Sequence, residues 1–207
     1  MAGTSITTVG EGQASGTPDS LRLHVSVQHT AASVSDALSG CASRLEAAVA
    51  VARRFTEPHR IGSTGLHVDH EYTDQGRATT GWVAHHALRI EVPDVAASGD
   101  LVTALADEVG DALRVGHVEM YLADPADLAV TARAAAFENA RAKADELAAL
   151  AGQQVTGVVS VAEGAGVRPY GVVEAAPAAM AKVGTSFEPG SATVSASLTV
   201  VWSTTPA

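Results

Sequence analysis

The stretch Asp124–Glu163, DPADLAVTARAAAFENARAKADELAALAGQQVTGVVSVAE, reads as one long capped helix, a glycine stop and a strand. Asp124 is placed to cap the first turn, and Pro125 suits the first helical position, where a missing N–H costs nothing. Asp127 complements the positive end of the helix dipole. Val130, Ala134, Phe137, Ala140, Ala144, Leu147 and Ala151 recur at steps of three and four. That spacing predicts that Val130, Phe137, Ala144 and Leu147 face a sheet and are buried. Most of the stripe is alanine, so the helix can lie close to its partner without bulky knobs. Gly152 is the expected left-handed stop, and Val155, Val158, Val159 and Val161 predict a buried strand after it.

Upstream of this stretch, Ser5–Gly12 reads as a first strand ended by Gly10 and Gly12. These glycines sit one residue off a dinucleotide fingerprint and lead into a strand, so they read as turn-formers. Leu21, Leu23, Val25 and Val27 alternate with polar residues, the period of a half-buried strand. Ser33 or Ser35 can cap a helix whose stripe runs Val34, Leu38, Cys41, Leu45, Ala48, Ala52 and Phe55. Cys41 inside that stripe reads as a buried, unreactive thiol. Ile61–Tyr72 and Gly81–Val92 form a hairpin around Gly76, with Trp82, Ala84, His86, Leu88 and Ile90 on one face. A short helix over 95–109 and a strand over 115–122 complete the run into Asp124.

Downstream, residues 164–190 hold Pro169, Pro177, Pro189 and several glycines, and read as one long loop. Such loops are usually functional or mobile. Val167, Tyr170, Val172, Val173, Met180, Val183 and Phe187 make it more apolar than a solvated linker, and apolar groups outside regular elements need cover. Ser191–Ser203 closes the chain as an amphipathic strand with Ala192, Val194, Ala196, Leu198, Val200 and Trp202 on one face. The predicted order is β-β-α-β-β-α-β-α-β-loop-β. Strands able to pair as hairpins, with helices between, define an α+β fold with mainly antiparallel sheet and helices on one face. No composition break divides residues 1–207, so a single domain is expected, and the helix–strand pseudo-repeat allows two lobes within it.

Composition narrows the function. A 46% hydrophobic and 17% charged chain of 207 residues belongs to a folded class, with a core of alanine, valine and leucine because aromatics are only 4%. A formal charge of −10 argues against nucleic acid or an anionic membrane surface as partner. No run of about 18 apolar residues predicts a membrane span. The first residues, MAGTSITTVGEG, show no secretory signal, so the chain as written reads as cytoplasmic, or as exported and periplasmic if a signal was trimmed.

Histidine is the one suggestive residue type. His67 and His70 lie in His-Val-Asp-His-Glu, and His85-His86 lies across the hairpin, so His67 faces His85 or His86. Imidazoles with a nearby carboxylate hold zinc or copper, which nominates His67 and His86 as metal ligands. His67 and His70, three apart on a strand, point to opposite faces. Nucleophile-elbow, phosphate-loop and HExxH motifs are missing, so the sequence nominates no catalytic residue and no cofactor.

Gly10-x-Gly12 with Pro18-Asp19, the Tyr72–Trp82 hairpin, Leu122-x-Asp124-Pro125, Ala140-Arg141-x-Lys143-Ala144-x-x-Leu147-Ala148, and Glu188-Pro189-Gly190 before Val194-Ser195-Ala196 follow one another in order. Together they resemble the SIMPL-domain family, a domain of unknown function found in bacterial envelope proteins and a eukaryotic kinase-associated protein. The resemblance implies an α+β fold and assembly into rings or larger oligomers, some channel-like. It also implies loose links to bacterial stress defence and to signalling adaptors, and it brings no agreed catalytic residues. The expectation is a non-enzymatic, self-assembling scaffold or binding module, a homo-oligomer with Tyr170, Met180 and Phe187 at its contacts. The alternative is a ligand- or metal-binding protein built on the histidine hairpin.

Overall fold

The computed structural model describes residues 4–72, 79–164, 168–170 and 187–207. In chain order the elements are β1 (Thr4–Gly16), β2 (Ser20–Ala31), α1 (Val34–Ala52), β3 (Ile61–Tyr72), β4 (Thr79–Val92), α2 (Ser98–Val109), β5 (Leu113–Tyr121), α3 (Ala126–Leu150), β6 (Gln153–Glu163), β7 (Arg168–Tyr170) and β8 (Ala192–Pro206). This is an α+β fold in the expected order, with β7 a short addition inside the stretch read as loop. The strands form two antiparallel sheets, ordered β1-β8-β6 with β7 also on β8, and β3-β4-β2-β5. The chain divides into two compact units, one holding β1, α3, β6, β7 and β8, the other the elements from β2 to β5.

In the unit of β1 and β8, the first and last strands pair along their length, from Thr4 opposite Thr204 to Gly16 opposite Ala192. Ala192, Val194, Ala196, Leu198, Val200 and Trp202 are all buried, as the period of two predicts. Thr8, Gly10 and Gly12 share that face, opposite Val200, Leu198 and Ala196. The helix α3 lies on this surface, mainly over β1 and β8. Its inner face is Ala129, Ala132, Ala136, Ala140, Ala144 and Ala148, all buried. A Cβ on Gly10 would run into the Ala136 carbonyl oxygen and stand 2.6 Å from the Ala140 nitrogen. A Cβ on Gly12 would run into the Ala132 carbonyl oxygen. Strand backbone thus touches helix backbone, which only glycine facing alanine permits. Thr8 Oγ1 donates to the Ala140 carbonyl at 2.9 Å and accepts from Trp202 Nε1 at 2.8 Å, tying helix to both strands.

Three expectations change here. Ala144 is buried, but Val130 and Leu147 are 63% and 47% exposed, and Phe137 is half-buried with its ring 5.4 Å from that of Trp202. The close approach turns the smallest side chains inward and rotates the larger ones to the flanks. Gly10 and Gly12 do not end β1 but lie within it, because their role is to admit the helix. The strand β6 is not buried. Gly152 does adopt the left-handed stop, with φ of 64°.

In the other unit, Leu21, Leu23, Val25 and Val27 of β2 and Ala84, Leu88, Ile90 and Val92 of β4 form the sheet's buried face. On it lies α1, capped by Ser33, whose side chain accepts from the Asp36 N–H at 3.1 Å. Ala37, Cys41, Ala48, Val51 and Ala52 point inward. The helix α2 packs on α1 through a stripe of Leu101, Leu105 and Val109.

The Gly10 contact gives a direct test. Gly10→Ala is expected to destabilise by at least the ~1–3 kcal/mol typical of overpacking, whereas the exposed Val130→Ala should stay within about 0.5 kcal/mol. Denaturant midpoints for the two variants measure this, and a Gly10→Ala midpoint equal to the parent's contradicts the packing.

Candidate functional site: an exposed sheet edge and a histidine hairpin

The strand β6 ends its sheet, and among the described residues no strand pairs with its outer side. Its register against β8 is broken between Val155 and Gly157 and again between Val158 and Ser160. Val158 stands opposite Trp202 and Val161 opposite Val200, so both point to the side of the sheet that carries α3. They are nevertheless 46% and 50% exposed, because α3 sits mainly over β1 and β8 and only partly covers β6. Val159, in the register break, is 63% exposed. The flank of α3 adds exposed Val130, and Arg133 spans to Glu163 at 2.7 Å. The result is an unpaired strand edge with a row of exposed valines, which presents both backbone hydrogen-bonding groups and apolar surface. Sequence reading misses it, since a valine-rich strand looks buried until its sheet position is known.

The three residues nominated for oligomer contact fall unevenly. The backbone of Tyr170 pairs with Thr193 in β7. Because β1 occupies the other side of β8 at Thr193–Ser195, β7 continues the same edge as β6. Phe187 is half-buried, and Met180 lies outside the described residues.

The histidine hairpin forms as expected, and its register is definite. His67 is opposite His85, Leu66 opposite His86, and His70 opposite Trp82. His67 and His86 therefore occupy opposite faces of the sheet, while His67 and His85 share one. His86 Nε2 lies 2.8 Å from Ser63 Oγ, and the His70 ring is centred 3.8 Å from that of Trp82. No group of three His, Cys, Asp or Glu side chains among the described residues is arranged to hold a metal ion.

The outer face of the same sheet carries an ion cluster. Arg22 reaches Glu91 at 3.2 Å and Glu119 at 2.8 Å, with its guanidinium 4.6 Å from the centre of the Tyr121 ring. Burial, joined by the Glu91 charge, pushes the Tyr121 hydroxyl above its ordinary value, so it stays a neutral phenol. Cys41 is buried, with Sγ 3.6 Å from the Val27 carbonyl oxygen, and burial pushes its thiol up as well. Both shifts run against use as a base or nucleophile at neutral pH.

The architecture is α+β, with the helix–strand from Asp124 closing on the last strand. Residues 6–202 match the family described as SIMPL, a protein of unknown function (DUF541), and the chain belongs to that family. No curated protein matches the chain.

The Cys41 environment predicts slow labelling of the native protein by a thiol reagent at neutral pH, with one thiol released on unfolding. Labelling of the folded chain as fast as a free thiol contradicts its placement.

Proposed function

We propose that this SIMPL chain is a non-enzymatic module that assembles with copies of itself through the open β6 edge, and acts as a scaffold or binding platform. One observation carries the reading: the β6 edge joins backbone that is unpaired among the described residues to the exposed Val158, Val159 and Val161. A second copy of the same edge, related by a twofold axis, would pair antiparallel and cover the valines of both. The short strand β7 pairs on the same side of β8 as β6, so Tyr170 belongs to the proposed contact region. Met180 and Phe187 are proposed for it on their apolar character alone. The assembly tendency implied by the family resemblance points the same way, toward a closed ring or larger oligomer.

The test is mass in solution. Val158→Asp with Val161→Asp places charge on the edge at two half-exposed positions. Light scattering coupled to size exclusion is expected to give more than one chain for the parent and a single chain for the double variant, with little change in melting temperature. A monomeric parent, or a double variant that keeps the parent's mass, contradicts the proposal.

A further inference from the structure

The turn that follows α1 gathers positive charge in a chain that otherwise has little. Arg53 caps the helix, Arg54 follows it, and Arg60 ends the 3-10 turn Pro58–Arg60. These three arginines line one cavity of about 350 Å³ with Phe55, Thr56 and Glu57. The framework under it is fixed. Thr56 is buried and its hydroxyl donates to the Glu91 carbonyl at 2.6 Å, while the N–H groups of Arg53, Arg54, Phe55 and Thr56 bond to carbonyls of the last turn of α1. Arg60 N–H closes the next turn on the Glu57 carbonyl at 2.9 Å.

What sets these arginines apart is the lack of an ion-pair or hydrogen-bond partner among the described residues; Arg60 feels only the more distant Tyr121 hydroxyl. Arg22, Arg89, Arg133 and Arg141 sit in ion pairs, Arg44 donates to His29, and Arg114 donates to the carbonyls of Asp111 and Leu113. Among the described residues, no ion pair or side-chain hydrogen bond engages Arg53, Arg54 or Arg60; Arg54 only lies 5.8 Å from the centre of the Phe55 ring. Cations at a helix C-terminus complement its dipole, which accounts for Arg53 and Arg54 in part. It does not account for Arg60, which lies beyond the helix and lines the same cavity. Glu57 offsets one of the three charges, leaving an excess of two. In a chain of net charge −10, a cavity with that excess is a local inversion of the field. Guanidinium groups bind oxyanions through paired N–H donors, and phosphate matches that fork.

We propose that this arginine cavity binds a small phosphate-type oxyanion, either free phosphate or the phosphate of a soluble monoester. The ligand is held by Arg53, Arg54 and Arg60, with Phe55 beside it. This site is separate from the β6 edge, so it stands or falls independently of the assembly.

Calorimetric titration of the full chain at low ionic strength, with inorganic phosphate in one arm and glycerol phosphate in the other, tests it. Saturable binding is expected in at least one arm, and the stronger arm tells the free anion from the ester. Chloride at matched ionic strength should give none. Arg54→Gln and Arg60→Gln, with melting curves confirming the fold, should each weaken binding about tenfold or more, while Arg114→Gln, outside the cavity, should leave it unchanged. No binding beyond that of chloride, or equal binding by parent and a folded Arg53→Gln/Arg54→Gln variant, overturns the site.

Discussion

Backbone-to-backbone contact between α3 and β1 is the constraint on which the rest of its unit depends. Gly10 and Gly12 remove the side chains that would hold the helix off the strand, and Ala132, Ala136 and Ala140 remove them from the other side. Alanine loses no side-chain rotamer freedom on burial and is the strongest helix former, so this interface is cheap in entropy. It buries little area per residue, and close packing compensates by bringing many atoms within van der Waals range. The Trp202–Thr8–Ala140 hydrogen-bonded chain then fixes the helix along its axis, with each buried polar group partnered. Lys143 Nζ to the Val9 carbonyl at 2.8 Å and Asn139 Oδ1 to the Glu11 N–H at 3.2 Å hold the β1 side from outside.

Seating the helix there has a consequence at the far edge. A single helix of this diameter covers about two strands. With β1 and β8 chosen by the glycines, β6 is only partly covered, and Val158 and Val161 remain about half exposed although they point to the helix side of the sheet. Two register breaks add twist along β6, a device that elsewhere protects edges, yet no charged residue interrupts the run from Val155 to Ala162. An edge so arranged fits the assembly proposed for it better than it fits permanent exposure.

The order of elements was readable from periodicity because each strand and helix carries its own pattern, as in the alternation of β8 and the caps around α3. The inward face of α3 was not. With alanine at so many positions, the helix has little hydrophobic contrast, and the larger Val130 and Leu147 draw the stripe toward themselves. The deciding residues, Gly10 and Gly12, lie more than a hundred positions away and look locally like turn-formers. The histidine hairpin shows the same limit on a smaller scale. Its pairing was predictable, but whether His67 met His85 or His86 depended on a one-residue register that reverses the face of each side chain. The arginine cavity escaped notice for a different reason: Arg53, Arg54 and Arg60 are unremarkable in sequence and converge only through the turn held by Thr56.

Backbone amide hydrogen exchange across β6, measured at several protein concentrations, addresses the open edge most directly. The account predicts that protection of Gln153–Glu163 rises with concentration as outer amides find partners in a second copy, while protection in β8, already paired on both sides, stays constant. Exchange in β6 that is independent of concentration across the range in which the chain changes mass, or in a chain that never changes mass, would contradict it.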